Sequence, residues 1–158
     1  EGQLIWRRHA WTREHAAGAF MVFAATSSSR TNRIIAATCR EKGILVTVAD
    51  NPELCDFMVP AVLRRKALSV AISTRGNSPM LARKIRGELE QILTDAHGEF
   101  VDLLGALRRK LRQSVPDARQ RRKIFETIAD SDILALLKAG KRTEAKRRVR
   151  QCILSSQD

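Results

Sequence analysis

The chain has 158 residues, 44% of them hydrophobic and 29% charged, which is enough for one ordinary domain or two small ones with a real core. A formal net charge of +12 points to an acidic partner (nucleic acid, phospholipid or a polycarboxylate) or to a solvated basic face. Aromatics at 4% and the lack of any Tyr disfavour a stacking platform for single-stranded nucleic acid. Three cysteines without a CxxC pair disfavour a disulfide framework or a zinc site.

The first stretch, EGQLIWRRHAW (1–11), reads as a loop and a short strand. AFMVFAATSSS (19–29) is an apolar run followed by three serines, the pattern of a strand covered on both faces. RTNRIIAATCREKG (30–43) reads as a helix with Ile34, Ile35 and Ala37 on its buried face and Gly43 as its terminator. ILVTVADNPELC (44–55) is a second apolar strand, stopped by the turn sequence DNP. The order β-α-β predicts a parallel sheet, and ligands of such sheets collect at the carboxyl ends of the strands. Thr26, Ser27, Asp50 and Asn51 fall at those ends.

In FMVPAVLRRKALSVAIST (57–74), Pro60 opens a segment that reads as a short helix, and ALSVAIST reads as a third strand. Ser78 is a good N-cap and Pro79 suits the first helical position, so SPMLARKIRGELEQIL continues as a helix. Its Leu81, Ile85, Leu89 and Ile92 form one stripe expected to be buried. Beyond residue 95 the chain reads as all-α. EFVDLLGALRRKLRQS ends before Pro116 and a short helix follows. SDILALLKAG is capped by Ser131 and ended by Gly140, and a last helix is capped by Thr143. Most of the excess positive charge lies in this tail, in clusters around Arg108, Arg121 and Arg148.

Three groups of residues could carry chemistry. Asp50 is a proton acceptor at a cleft rim or a loop-capping carboxylate. Thr26 and Ser27 bind a ribose or phosphate, or cap the next helix. Ser73, Thr74, Arg75, Asn77 and Ser78 surround a helix start suited to a carboxylate or phosphate, or form an ordinary polar loop. His9, His15 and His97 lack metal-ligand spacing, so no metal site is expected. No GxGxxG or GxxxxGK loop is present. Without an apolar run of 18 residues or a signal-peptide pattern, no membrane association is expected and a cytoplasmic location is.

The stretches MVFAATSSSRTNRII, VADNPELCDFMVPA and VAISTRGNSPMLAR, in that order, resemble the precorrin-2 dehydrogenase family, the dehydrogenase part of siroheme synthase. The resemblance runs over about residues 1–95 and more loosely through the tail. It implies an α/β chain with a partial Rossmann-like parallel sheet, a dimerisation segment and a small all-α C-terminal domain. The expected divisions are 1–57, 58–95 and 96–158. It implies a homodimer and the NAD-dependent oxidation of precorrin-2 to sirohydrochlorin. In some members the same protein is also a ferrochelatase that inserts ferrous iron.

By this resemblance Asp50 matches the catalytic carboxylate, the third residue of VAD. Thr26 and Ser27 fall on the cofactor side. Asn51, Ser73, Thr74, Arg75, Asn77 and Ser78 fall on the substrate side. Thr74 matches a position that is a phosphorylatable serine in some relatives, and Arg75-Gly76 replaces the usual Gly-Gly. The chain starts at Glu1, after the point where family members carry their glycine-rich first βαβ unit, and reads as a fragment. Two competing readings are a nucleic-acid-binding protein using the basic helical tail and an inactive dimerisation module.

Overall fold

The computed structural model describes residues 4–155. The fold is α/β and divides into two compact units, residues 1–59 with 75–77 and residues 60–74 with 78–158. The predicted strand within residues 1–11 lies partly outside the described residues, and residues 4–11 form no strand.

The first unit is built from β1 (Met21–Ala24), α1 (Ser29–Glu41) and β2 (Leu45–Val48). β1 and β2 pair in parallel, Met21 opposite Leu45 and Ala24 opposite Val48. Val22, Ala24, Val46 and Val48 face a core shared with Ile35, Ala36 and Cys39 of α1. The opposite sheet face is less covered: Phe23 is 61% exposed and meets the Phe57 ring in a T-shaped contact at a centroid distance of 5.5 Å. α1 starts at Ser28, whose hydroxyl oxygen accepts the Thr31 amide at 3.2 Å. It ends at Gly43, which takes φ +67° while the Ile44 amide reaches back to the Cys39 carbonyl at 2.9 Å.

The buried face of α1 differs from the expected one. Ile34 and Ala37 are exposed, whereas Asn32, Ile35, Ala36 and Cys39 are buried, the i, i+3, i+4, i+7 pattern of one helical face. The apolar residues alone suggested the wrong face because two buried positions, Asn32 and Thr38, are polar.

The second unit opens with β3 (Ala61–Arg65) and β4 (Leu68–Ile72), an antiparallel hairpin with Arg65 opposite Leu68. The expected short helix after Pro60 is therefore a strand, and the expected third parallel strand is its antiparallel partner. Lys66, first of the two loop residues, takes φ +52°, as tight hairpins require. Pro60 alone suggested a helix start, and the pairing of β3 with β4 overrode it.

α2 (Pro79–Ile92) packs on this hairpin, α3 (Asp95–Ser114) follows, and α4 (Ala118–Ala129), α5 (Ile133–Lys138) and α6 (Arg142–Ser155) complete the unit. Ser78 caps α2 as predicted, accepting the Leu81 amide at 3.2 Å. The predicted stripe is only partly buried, with Leu81 46% and Ile92 61% exposed. Ser131 supports the start of α5 from one residue before the cap position, its hydroxyl oxygen accepting the Ile133 amide at 3.4 Å. Its hydroxyl donates to the Ile128 carbonyl at 2.7 Å, and Asp132 occupies the cap position. Thr143 lies inside α6, which starts at Arg142. The helical core gathers Leu107 and Leu111 of α3, Ile124 and Ile128 of α4, Ile133 and Leu137 of α5, and Val149 of α6.

α3 approaches the hairpin without side chains between the two backbones. A methyl group on Gly98 would lie 2.4 Å from the Arg65 carbonyl oxygen. Around this contact the Arg65 guanidinium donates to the Leu93 carbonyl at 3.1 Å and faces Asp95 at 3.6 Å, and Lys66 pairs with Glu99 at 3.6 Å. Arg142 closes on Glu99 with two bonds of 2.9 and 2.8 Å. Mainly through the hydrogen bond from Arg142, the Glu99 carboxyl is held below the ordinary range.

Candidate active-site edge of the parallel strand pair

The carboxyl ends of β1 and β2 leave the sheet side by side, joined by the Ala49 amide on the Ala24 carbonyl at 2.8 Å. Thr26 and Ser27 follow one strand, and Asp50 and Asn51 the other. Asp50 is exposed and takes φ +58°, a left-handed backbone that few non-glycine residues adopt and that Asp tolerates best with Asn. Such conformations persist where surrounding contacts impose them.

Those contacts come mainly from Cys55 and Asp56. The Cys55 sulfur accepts the Val48 amide at 3.1 Å and lies 3.2 Å from the Asn51 carbonyl. The Asp56 carboxylate accepts the Val46 amide at 2.9 Å, its own amide donates to the Val46 carbonyl at 2.8 Å, and Arg40 stands 3.9 Å away. Residues 55 and 56 thus fold back along β2 and clamp the turn that presents Asp50. Sequence reading missed both. The only available signal was a cysteine-carboxylate pair one short 3-10 turn after the strand.

Thr26 is committed to local structure. Its hydroxyl lies 2.7 Å from the Asn32 amide oxygen and 3.2 Å from the Ser28 carbonyl. Asn32, 5% exposed, also accepts the Thr26 amide at 3.1 Å and donates to the Thr26 carbonyl at 3.1 Å. Ser27 is exposed beside this lattice. Asn51 makes no side-chain cap bond to the 3-10 turn that follows it.

Of the loop on the expected substrate side, Arg75 and Asn77 belong to the same unit as Asp50. Gly76 between them, at φ +81°, is pressed against Met58 and Pro52. A methyl group there would meet the Met58 Cε and the Pro52 Cγ at 3.1 Å. The loop therefore rests on the segment that follows Asp50. Arg75 is also left-handed, at φ +53°. Ser73, Thr74 and Ser78 belong to the other unit, where the Thr74 hydroxyl accepts the Ser78 amide at 3.1 Å. Arg65 and Lys66 are drawn to Asp95 and Glu99.

The hydroxyls at this edge fit the ribose of a dinucleotide in part, with Ser27 the more available. Among the described residues of this unit no glycine turn offers room for a pyrophosphate. Gly18 and Gly43 precede the strands, and the space above Gly76 is filled. The described histidines have local partners: the His9 and His15 rings stack at 4.5 Å, and the His97 ring accepts the Thr94 amide at 3.1 Å. Among the described residues no helix is long and apolar enough to cross a membrane.

Three family models match the chain in succession: "Putative NAD(P)-binding" over residues 1–61, "Sirohaem biosynthesis protein central" over 65–92 and "Sirohaem synthase dimerisation region" over 96–153. Over nearly its whole length the chain is similar to the NAD(P)-binding, central and dimerisation parts that these models describe. The siroheme synthase of Thioalkalivibrio sulfidiphilus is 33% identical over 138 residues, covering 87% of this chain and 28% of that protein. That of Methylococcus capsulatus is 36% identical over 127 residues, covering 80% of this chain and 27% of its own. Siroheme synthase 1 of Pectobacterium atrosepticum is 30% identical over 157 residues, covering 99% of this chain and 33% of its own. The chain thus spans no more than about a third of these relatives' length. A solved precorrin-2 dehydrogenase, SirC, shares the fold with a TM-score of 0.73 at 21% identity, over 92% of this chain and 70% of that one.

Proposed function

We propose that this chain is the dehydrogenase part of a siroheme-forming enzyme and oxidises precorrin-2 to sirohydrochlorin with NAD. The observation that carries the reading is Asp50, set in a left-handed backbone at the shared carboxyl edge of β1 and β2 and clamped there by Cys55 and Asp56. The matches to the sirohaem models and to siroheme synthases support the substrate class.

The oxidation removes two electrons and protons from the macrocycle. Bound NAD supplies the hydride acceptor. The chain's part is to receive the accompanying proton, and Asp50 is the carboxylate at the edge where ligands of parallel sheets collect. Arg75, Asn77 and Asn51 meet the substrate's acidic side chains; Ser73, Thr74 and Ser78 are assigned to the substrate by the resemblance alone. Thr26 and Ser27 flank the cofactor. Of the expected parts, 1–57 binds the cofactor and 58–95 is a central segment; the dimerisation-region match over 96–153 favours the helical part, rather than 58–95, as the contact between two copies of a cytoplasmic homodimer. Ferrous iron enters only as a second substrate, on the same carboxylate.

The test follows the rise of sirohydrochlorin absorbance from precorrin-2 with NAD or NADP, using the whole protein to which this chain belongs. NAD-supported turnover well above that with NADP supports the reading. No turnover with either overturns it.

A further inference from the structure

α1 buries two polar side chains among its apolar ones, Asn32 and Thr38. Apolar residues would be favoured at both positions, since a buried polar group costs free energy unless it is bonded. The Thr38 hydroxyl has no hydrogen-bond partner among the described residues. The Asn32 side chain, by contrast, makes all of its bonds to one residue, Thr26.

Those bonds close on the loop between β1 and α1. The Asn32 amide oxygen accepts the Thr26 amide at 3.1 Å and the Thr26 hydroxyl at 2.7 Å, and its NH2 group donates to the Thr26 carbonyl at 3.1 Å. One side chain thus pairs with both main-chain groups of Thr26, as a neighbouring strand would. The Thr26 hydroxyl oxygen accepts the Ser28 amide at 3.3 Å, so this hydroxyl is engaged both as donor and as acceptor. Ser28 is fixed further by its own bond to the Thr31 amide.

Ser27 is the exception. It stands between these two fastened residues, is exposed, and makes no hydrogen bond among the described residues. Its open hydroxyl lies just beyond the carboxyl end of β1, where ligands of parallel sheets collect.

We infer that Asn32 is a positioning residue for the cofactor. It orders the β1–α1 loop so that the Ser27 hydroxyl meets a ribose hydroxyl of the dinucleotide, and Thr26 serves that hold rather than the cofactor. A loop ordered in advance binds more tightly, because less freedom is lost on binding. The dinucleotide as ligand rests on the function proposed above. The fixing of the loop by Asn32 rests on the hydrogen bonds alone.

The test uses the whole protein to which this chain belongs. Binding of NADH and NADPH is followed by fluorescence titration, and precorrin-2 oxidation gives kcat and both KM values. Amide exchange read by mass spectrometry compares residues 25–28 with residues 45–48 of β2. Asn32→Leu removes the bonds at similar volume. Thr26→Val removes the hydroxyl and keeps the main-chain bonds, whereas Thr26→Ser keeps both. Thr38→Val removes the other buried polar group of the same helix. Ser27→Ala removes the proposed contact, alone and together with Asn32→Leu.

Asn32→Leu is expected to weaken the preferred cofactor by about tenfold and to raise its KM to match, with kcat and the KM for precorrin-2 within about threefold of wild type. Exchange should speed up at 25–28 and not at 45–48. Thr26→Val should weaken the cofactor by about threefold, and Thr26→Ser and Thr38→Val by less than about twofold. Because Asn32 acts through Ser27, the double variant should bind no more weakly than Asn32→Leu alone.

Cofactor affinity of Asn32→Leu within about twofold of wild type overturns the inference, as do single effects that multiply in the double variant. So does exchange that speeds up equally at both segments, which would make Asn32 a general stabiliser. Should Asn32→Leu not fold, Thr26→Val and its pair with Ser27→Ala carry the same comparison. Wild type that binds neither cofactor overturns the inference and the proposed function together. Cofactor binding with the coupling intact but no precorrin-2 oxidation strikes the proposed function alone.

Discussion

Gly98→Ala sets two physical effects against each other. Alanine is the better helix former by about 1 kcal/mol. At Gly98 the added methyl would lie 2.4 Å from the Arg65 carbonyl oxygen and 2.8 Å from its carbon. An ordinary carbon–oxygen contact is about 3.3–3.6 Å, so α3 and the β3–β4 hairpin must part by about 1 Å. Both obstructing atoms are backbone and cannot rotate away. Overpacking of this kind costs about 1–3 kcal/mol, and rigid neighbours place this case at the upper end. The net expectation is a loss of about 2 kcal/mol after the helix gain of about 1 kcal/mol.

Gly87→Ala is the matched control. It sits inside α2, and a methyl group there meets nothing within 4 Å. It should gain up to about 1 kcal/mol. Urea denaturation followed by circular dichroism compares both variants with wild type at one temperature. A separation of about 3 kcal/mol between them is expected. Equal stability of the two would refute the close approach of α3 to the hairpin.

Other expectations are shorter. Thr38 is fully buried in α1 and its hydroxyl has no hydrogen-bond partner among the described residues, so Thr38→Val should leave stability unchanged or raise it by about 1 kcal/mol in the same denaturation experiment. Glu99 has a folded-state pKa below its unfolded one, so its contribution is present above the ordinary glutamate range and is lost as pH falls through the folded value. Wild type should therefore exceed Glu99→Gln in stability at pH 7, and the gap should close as the medium is acidified below about pH 4; a gap that widens in acid would contradict the pairing. Cys39 is fully buried and its thiol is pushed up by burial first and by the Asp56 charge second. Cys152 is 3% exposed, so a thiol reagent should label Cys55 first, with mass spectrometry reading the order.

The sequence carried much of the frame because its signals there were local. The apolar runs ending at Ala24 and Val48 and the Ser78-Pro79 helix start needed no distant partner to be read. Elements settled by tertiary pairing escaped. The Arg64-Arg65-Lys66 run became a hairpin only because β3 and β4 pair and α2 and α3 pack on them. The face of α1 escaped because Asn32 is buried to bind the Thr26 backbone, and polarity hid it.

At the candidate site, position was legible and support was not. Asp50 stood out as the carboxylate ending an apolar strand. The clamp by Cys55 and Asp56 acts on β2 amides seven to ten residues back, which no local pattern displays. The engagement of Arg65 and Lys66 with α3 carboxylates is likewise a matter of packing.

The central claim is that Asp50 handles the substrate's proton, and the most direct measurement is precorrin-2 oxidation by wild type and Asp50→Asn in the whole protein. The amide keeps the shape and tolerates the left-handed backbone, so folding should hold. Loss of a positioned general base should lower kcat by about 100-fold or more. Substrate affinity should stay within about threefold, since the removed role is exercised in the transition state. Wild-type turnover by Asp50→Asn would contradict the account and leave that carboxylate as nothing more than a turn residue.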